Sequence, residues 1–341
     1  MKVLVTGGQG YVGSVLCPFL AEKGYDVTSL DRGFFSTDGT EKKFTEAGVK
    51  VINEDIRYFE PSLLRGYDAV VDLAALSNDP AGDLDPLKTL DINYVGRSRV
   101  ARLAKAAGVS RYVLASSCST YGFQEGIVDE KSEINPLTTY AKANRLAEVD
   151  NLGLADKDFS PVALRFATAF GWSERLRLDI AINAMTYNSL KDGKIRLMRD
   201  GKQYRPFVHV KDMARAIEFM LSKDTALISR NIFNVGTDSQ NVQLHDLAKE
   251  VIKLTNPDNP IEWYGDPDVR SYRASFRKIR ENLGFDCEYS ISYGIKEMAE
   301  KFGSPEFDRR EDMMTVEHYK RIMESEVRMN DIRYDIGVRT I

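Results

Sequence analysis

The run Val3-Leu4-Val5-Thr6-Gly7-Gly8-Gln9-Gly10-Tyr11-Val12-Gly13 leaves little choice about how this chain begins to fold. Val3, Leu4 and Val5 form a short apolar run of the kind that makes a buried strand. The run breaks into glycines at 7, 10 and 13, and a helical pattern follows to Lys23. Strand, glycine turn and helix in that order bring a helix N-terminus, with its free backbone N–H groups, up to a bound anion. Gly7 is expected to permit the tight turn, Gly10 to let the backbone approach a pyrophosphate, and Gly13 to let the helix pack on the strand. The next apolar run, Tyr25 to Leu30, ends in Asp31, eighteen residues beyond Gly13. A carboxylate there accepts both hydroxyls of an adenosine ribose and repels a 2′-phosphate at close range, so NAD is expected rather than NADP, although Arg32 follows directly.

The 341 residues, 43% hydrophobic, suffice for one large domain or two coupled ones with a full core. The net charge is −4 and no long basic block occurs, which argues against a nucleic-acid partner. Cys17, Cys118 and Cys287 lie too far apart for a metal or disulfide pattern, as in a reducing cytoplasm, and no metal is expected. Met1 leads straight into the first strand, so no secretory leader is expected. No apolar run approaches the roughly 20 residues that span a bilayer, so no membrane association is expected.

Strands are expected near 2–6, 26–30, 49–53, 69–74, 111–116 and 161–166, with helices between them, notably 11–23, 86–107 and 137–155. Such alternation predicts an α/β fold, a Rossmann-type doubly wound parallel sheet with helices on both faces. Asp85 and Pro86 open the helix at 86 as cap and first residue, and Gly108 ends it. Past Gly171 the pattern is irregular. Helices are expected near 178–191, 210–222 and 243–255, strands at 195–198 and 231–235, and loops around Pro257, Pro260, Gly265 and Pro267. The expected division is a cofactor domain over 1–170, to which segments near 205–236 return, a smaller substrate-binding domain over 171–303, and a charged extension over 304–341. That extension holds one amphipathic pattern, Val316, Tyr319 and Met323, suited to packing on a partner subunit.

Polar chemistry gathers in two places. The strand Tyr112–Ala115 runs into Ser116-Ser117-Cys118-Ser119-Thr120-Tyr121-Gly122, and hydroxyls at the carboxyl end of a central parallel strand sit where ligands bind in such sheets. Further on, Thr139-Tyr140-Ala141-Lys142-Ala143-Asn144 opens a helix with Tyr140 and Asn144 one turn apart on the same face. With these pieces the chain resembles the extended short-chain dehydrogenase/reductases, in the branch of nucleotide-sugar epimerases and dehydratases. The resemblance spans roughly residues 1–300. It rests on TGGQGYVG, Asp55-Ile56, Leu73-Ala74-Ala75, Asn93, SSCSTYG, Tyr140, LRFATAFG and RPFVHVKDMARA.

The resemblance implies that NAD is held by Gly7, Gly10, Tyr11, Val12, Gly13, Asp31, Arg32, Asp55, Ile56, Leu73, Ala74, Ala75, Asn93, Ser116, Tyr140 and Asn144. It implies that Tyr140 takes or gives the proton of a sugar hydroxyl, that Ser117 shares that hydrogen bond, and that the nicotinamide takes or gives the hydride. A nucleoside-diphosphate sugar is the implied ligand, met by Ser117, Ser119, Thr168, Asn183, Arg205 and Arg270. Of these, Arg205 matches the family's diphosphate-gripping arginine, whose guanidinium makes bidentate contact with phosphate oxygens. A homodimer paired through the helices at 86–107 and 137–155 is also implied, and Val100, Leu103, Ala104 and Ala107 offer an apolar run for it.

The chain departs from the family where the proton is handled. A phenol with a reference pKa of about 10 must be brought toward neutrality to act as a base. Members of the family use a lysine four residues after the tyrosine, and here that position is Asn144. Three pKa units correspond to about 4 kcal/mol, and a cation at roughly 4 Å in an effective dielectric near 20 supplies most of that. Lys142 lies about 200° around the helix from Tyr140 and is not placed to substitute. Three readings stay open: a slower enzyme whose tyrosine is acidified by the nicotinamide ring alone, a cation arriving from elsewhere in the chain, or a binding protein without turnover. Cys118 and Ser119 stand where the family's dehydratases carry an Asp-Glu pair, and the glutamate of its decarboxylases is absent too. Oxidation at a sugar carbon, expected at C4, with or without epimerisation, is the chemistry these residues leave. LRFATAFG and Arg175-Leu176-Arg177-Leu178-Asp179 resemble the branch that handles GDP- or dTDP-linked sugars.

Overall fold

The computed structural model describes residues 1–266 and 271–335, with 326–335 as backbone only. Seven strands form its main sheet: β1 (Lys2–Thr6), β2 (Asp26–Asp31), β3 (Lys50–Asn53), β4 (Ala69–Asp72), β5 (Arg111–Ser117), β6 (Ser160–Phe166) and β7 (Ile232–Val235). Their order is β7–β6–β5–β4–β1–β2–β3, and every neighbouring pair is parallel. The chain winds outward from β1 to β3, crosses back to β4, and winds outward again to β7. The winding reverses between β1 and β4, and a crevice opens at the carboxyl ends of strands flanking such a reversal.

Burial on both faces explains why these strands read as apolar runs. Val3 and Val5 join one core cluster with Leu16 and Leu20 of the first helix, while Leu4 joins the opposite one with Leu30, Val70 and Val100. A third cluster draws on later residues, among them Phe170, Leu176, Ile182, Phe207, Leu247, Ile295 and Phe302. β7 returns to the sheet edge by pairing Phe233 with Leu164 of β6.

Several elements refine the expectations. The first helix starts at Gly13, and a helix Asp38–Ala47, capped by the Thr37 hydroxyl and ended at left-handed Gly48, follows β2. The helix expected over 86–107 changes pitch: Pro86–Leu90 and Arg97–Ala106 are α, and Asp91–Gly96 between them is a π turn. The wider turn sets which face of the following segment meets the sheet, and Arg97 is buried there with Val100, Ala101 and Ala104.

The extension does not hang free. Met313 enters the third cluster, and a helix spans Thr315–Asp335. Tyr319, part of the pattern expected to meet a partner, instead sets its ring edge-on to Phe35 of the same chain at 5.1 Å, beside the His318 ring at 4.8 Å. Among the described residues no helix is long and apolar enough to cross a membrane.

Candidate active site

The glycine turn is built by close approach. Gly7 has φ +70°, and a Cβ there would lie 2.8 Å from the Ala74 backbone. A Cβ at Gly13 would lie 2.4 Å from the Gly8 carbonyl oxygen, so Gly13 makes room for the turn itself rather than for the strand. Gly8, which the spacing argument passed over, is equally constrained: its Cβ would sit 2.3 Å from Ser29 Oγ. At Gly10 the nearest atom to such a Cβ is the Gly7 oxygen at 3.2 Å. Asp31, at the end of β2, accepts the Gln9 N–H at 3.0 Å and the Gly33 N–H at 2.9 Å, one on each carboxylate oxygen. Burial raises the Asp31 carboxyl above the usual range, and these backbone N–H groups oppose the rise.

One continuous cleft runs from Asp31 past the turn to Tyr140 and on to Arg205. Gly7, Gly10, Tyr11, Val12, Gly13, Arg32, Asp55, Ile56, Leu73, Ala74, Ala75, Ser116, Ser117, Ser119 and Thr168 all line it. Arg57 holds Asp55 through Nε at 3.0 Å and Nη2 at 2.8 Å, while Arg32 stands 3.6 Å from the same carboxylate. The Arg57 guanidinium holds the Asp55 carboxyl below the usual range despite desolvation. The glycine cradles, the helix N-terminus and the Asp31 carboxylate together fit a dinucleotide.

The hydroxyl and phenol meet at the carboxyl end of β5. Ser117 closes β5, and its Oγ accepts the Ser119 N–H at 3.1 Å, which turns the chain into Cys118–Tyr121. The helix Thr139–Gly153, capped by Thr138 Oγ1 on the Ala141 N–H, presents Tyr140, Asn144 and Glu148 at four-residue spacing toward the sheet. Burial raises the Tyr140 phenol; hydrogen bonding from Asn144 lowers it, Asp79 raises it, and Arg97 and Ser117 lower it. Ser119 Oγ is buried without a hydrogen-bond partner, an acceptor and donor left for a ligand. Ser116 donates to Glu148 at 2.6 Å, and Glu148 is clamped by Arg165 at 2.7 and 2.8 Å.

Three predicted residues, Asn93, Asn144 and Asn183, lie behind the wall; Asn144, expected to meet NAD, is 1% exposed and does not line the cleft. Asn93 is fully buried and clamps the Leu76 backbone, accepting its N–H at 2.8 Å and donating to its carbonyl at 3.0 Å. Asn183, also fully buried, accepts the Gly171 N–H at 3.0 Å and donates to the Arg177 carbonyl at 3.0 Å. Arg205 lines the cleft with its guanidinium 5.6 Å from the Tyr272 ring, whereas Arg270 falls outside the described residues. His209 is fully buried, with Nε2 3.0 Å from Glu297, and Cys118 is fully buried.

The cleft also contains residues that spacing did not reveal. Arg177 pairs with Asp179 at 2.9 Å, and Arg175 stacks over Phe35 at 3.9 Å with Nη1 buried and unpartnered. Arg97 reaches the cleft from beneath. A signal for it existed: Arg97, Val100, Ala101 and Ala104 share one helical face, so the residue preceding a buried apolar stripe was a charge that needed a partner.

A parallel sheet of this winding, with a glycine turn, an acid closing β2 and a serine–tyrosine pair at β5, defines a dinucleotide-dependent enzyme of the extended short-chain dehydrogenase/reductase kind. The chain belongs to the NAD dependent epimerase/dehydratase family, which it matches over residues 3–236. It is 28% identical over 320 residues to a UDP-glucose 4-epimerase of Rhizobium leguminosarum bv. trifolii, covering 86% of this chain and 95% of that one. It is 26% identical to UDP-glucuronic acid decarboxylase 4 of Arabidopsis thaliana, covering 92% and 72%. The solved structure of MoeE5 in complex with UDP-glucuronic acid and NAD superposes with a TM-score of 0.77 at 28% identity, covering 88% and 98%.

Proposed function

We propose that this protein is an NAD-dependent epimerase of a nucleoside-diphosphate sugar, working through oxidation and re-reduction at C4. The observation that carries this reading is Tyr140 with Ser117 in the same cleft as the glycine turn and Arg205. NAD, when bound, accepts and returns the hydride. Tyr140 takes the proton of the sugar hydroxyl as the carbonyl forms and gives it back on the return. Ser117 shares that hydrogen bond, and Arg205 grips the diphosphate. The relatives named above act on UDP sugars, which favours uridine as the base. Cys118 and Ser119 offer no acid for eliminating water, which disfavours dehydration.

The test begins with mass spectrometry of small molecules released from freshly purified protein, where NAD or NADH is expected. The protein is then incubated with UDP-glucose and with UDP-glucuronic acid. Appearance of the C4 epimer supports the reading. Stoichiometric NADH without an epimer replaces it with net oxidation, and NAD-loaded protein that converts neither sugar overturns it.

We further propose a homodimer, supported by Val95 and Val149 standing 53% exposed on the two neighbouring helices. Of Val100, Leu103, Ala104 and Ala107, suggested by the sequence pattern, Val100 and Ala104 are fully buried in the chain's own core and Leu103 and Ala107 pack partly buried against it. Light scattering after gel filtration is expected to give twice the chain mass, and substitution of Val149→Glu to give the monomer.

A further inference from the structure

Asn144 is not left alone behind Tyr140. Arg97, 1% exposed, donates from Nη1 to Asn144 Oδ1 at 2.9 Å. Asn144 Nδ2 in turn donates to the Tyr140 carbonyl at 3.1 Å. The rest of the guanidinium is held fast: Nε lies 3.2 Å from Asp72 Oδ2, and Nη2 donates to the carbonyls of Asp72 and Ala115. Asp72, itself fully buried, also accepts the hydroxyls of Thr6 at 2.7 Å and Tyr112 at 2.5 Å. A buried ion pair of this kind is costly to desolvate and is weak evidence for stability by itself. It stands directly behind the one position where the chain lacks the family's cation.

We propose that Arg97 is the positioning cation of this active site, fixing the Asn144 amide so that its N–H side and the positive end of a buried ion pair face Tyr140. The proposal deepens the reading of Tyr140 as proton carrier and rests on it. An amide can turn over, exchanging donor for acceptor. Here it cannot, because the exchanged NH₂ would meet the guanidinium donor to donor. The acceptor side stays on Arg97, and the donor side stays on the main-chain carbonyl of Tyr140. The asparagine thus ties the guanidinium to the turn that carries Tyr140, and the positive charge acts on the phenol from there. Other titratable groups acting on Tyr140 include Asp79, Tyr272 and Arg177, the last paired with Asp179.

The test compares four proteins: the wild type, the neutral pair Arg97→Gln/Asp72→Asn, the same pair with Asn144→Lys added, and Asn144→Leu alone. The neutral pair leaves no orphan charge, and Asn144→Leu keeps the Arg97–Asp72 pair, so the two interruptions carry different risks to folding, which circular dichroism checks. Two readouts are taken on each: the pH profile of kcat, and ultraviolet titration of tyrosinate as the difference between each protein and its Tyr140→Phe counterpart. The second needs no turnover, so it judges Arg97 even if the sugars tried are wrong. Because the base form is the phenolate, losing the cation moves the acid limb upward by about one pH unit or more, a roughly tenfold loss at neutral pH that recovers as pH rises. Both interruptions are expected to shift the Tyr140 titration upward, and Asn144→Lys to bring it back. Folded variants whose Tyr140 titration does not move, with any rate loss independent of pH, would overturn the proposal and leave Arg97 as a tie between helix and sheet.

Discussion

In the proposed reaction Tyr140 moves the proton and Asp31 holds the ribose. Tyr140→Phe removes only the hydroxyl, so kcat is expected to fall about 10²–10⁴-fold while NAD stays bound; single-turnover assays on NAD-loaded protein check both halves. Asp31→Asn keeps the shape but loses the charge that strengthens ribose hydrogen bonds, about 1.5–3 kcal/mol each, and NAD affinity measured by calorimetry is expected to fall accordingly. Burial holds the Asp31 carboxyl above its ordinary value, so NAD affinity is expected to weaken on acidification earlier than an exposed aspartate would dictate. The sequence showed Asp31, Ser117 and Tyr140 because each sits at a fixed offset from a glycine turn, a strand end or a helix start. It showed Asn144 only as a departure. Arg97 showed only as a charge ahead of an apolar stripe, because its partner Asp72 closes β4, in an earlier element.

Among elements, the helix Ile291–Gly303 shows how the second half is fastened. Glu297 accepts from His209 Nε2 at 3.0 Å, from Lys211 Nζ at 2.5 Å and from the Trp172 N–H at 3.0 Å. Desolvation raises its carboxyl, but these hydrogen bonds outweigh the burial and bring it from 4.5 to about 2. A carboxyl depressed in the folded state stabilises the fold above its unfolded value, and that contribution disappears as pH falls through the folded one. The loss therefore runs from pH 4.5 down to about 2, and acid unfolding of Glu297→Gln is expected to show a flatter slope there by circular dichroism. In this half the helices expected near 178–191, 210–222 and 243–255 and the strands at 195–198 and 231–235 are present, but the helix Ile291–Gly303 was not legible, for a physical reason. The strands of the sheet are buried on both faces and advertise themselves as apolar runs. The helix Ile291–Gly303 alternates short apolar steps with lysine and glutamate, and its place is fixed by partners far along the chain. The π turn at Asp91–Gly96 has no compositional mark at all.

For the molecule as a whole, the extension completes the cofactor cleft. Tyr319 lines it, and Thr315 Oγ1 takes a hydrogen bond from Arg175 Nη2 at 3.0 Å, holding a guanidinium whose pKa burial pushes down to about 10. Removing the whole extension would also strip Met313 from the third core cluster, so the cleaner variant is Tyr319→Ala. Losing one edge-on aromatic contact, about 1 kcal/mol, is expected to speed NAD release by about fivefold with little change in melting temperature, read by stopped-flow fluorescence. The glycine turn and the Tyr319 wall stand at opposite ends of the described chain, and this has a consequence during synthesis. A nascent chain on the ribosome exposes the turn and the first strands long before the opposite wall has been made. A cleft without its last wall holds a dinucleotide less tightly, so NAD stabilises the finished fold by mass action more than the growing one. The early sheet therefore leans on its own apolar runs, and the tightest grip on the cofactor comes only with the last helix.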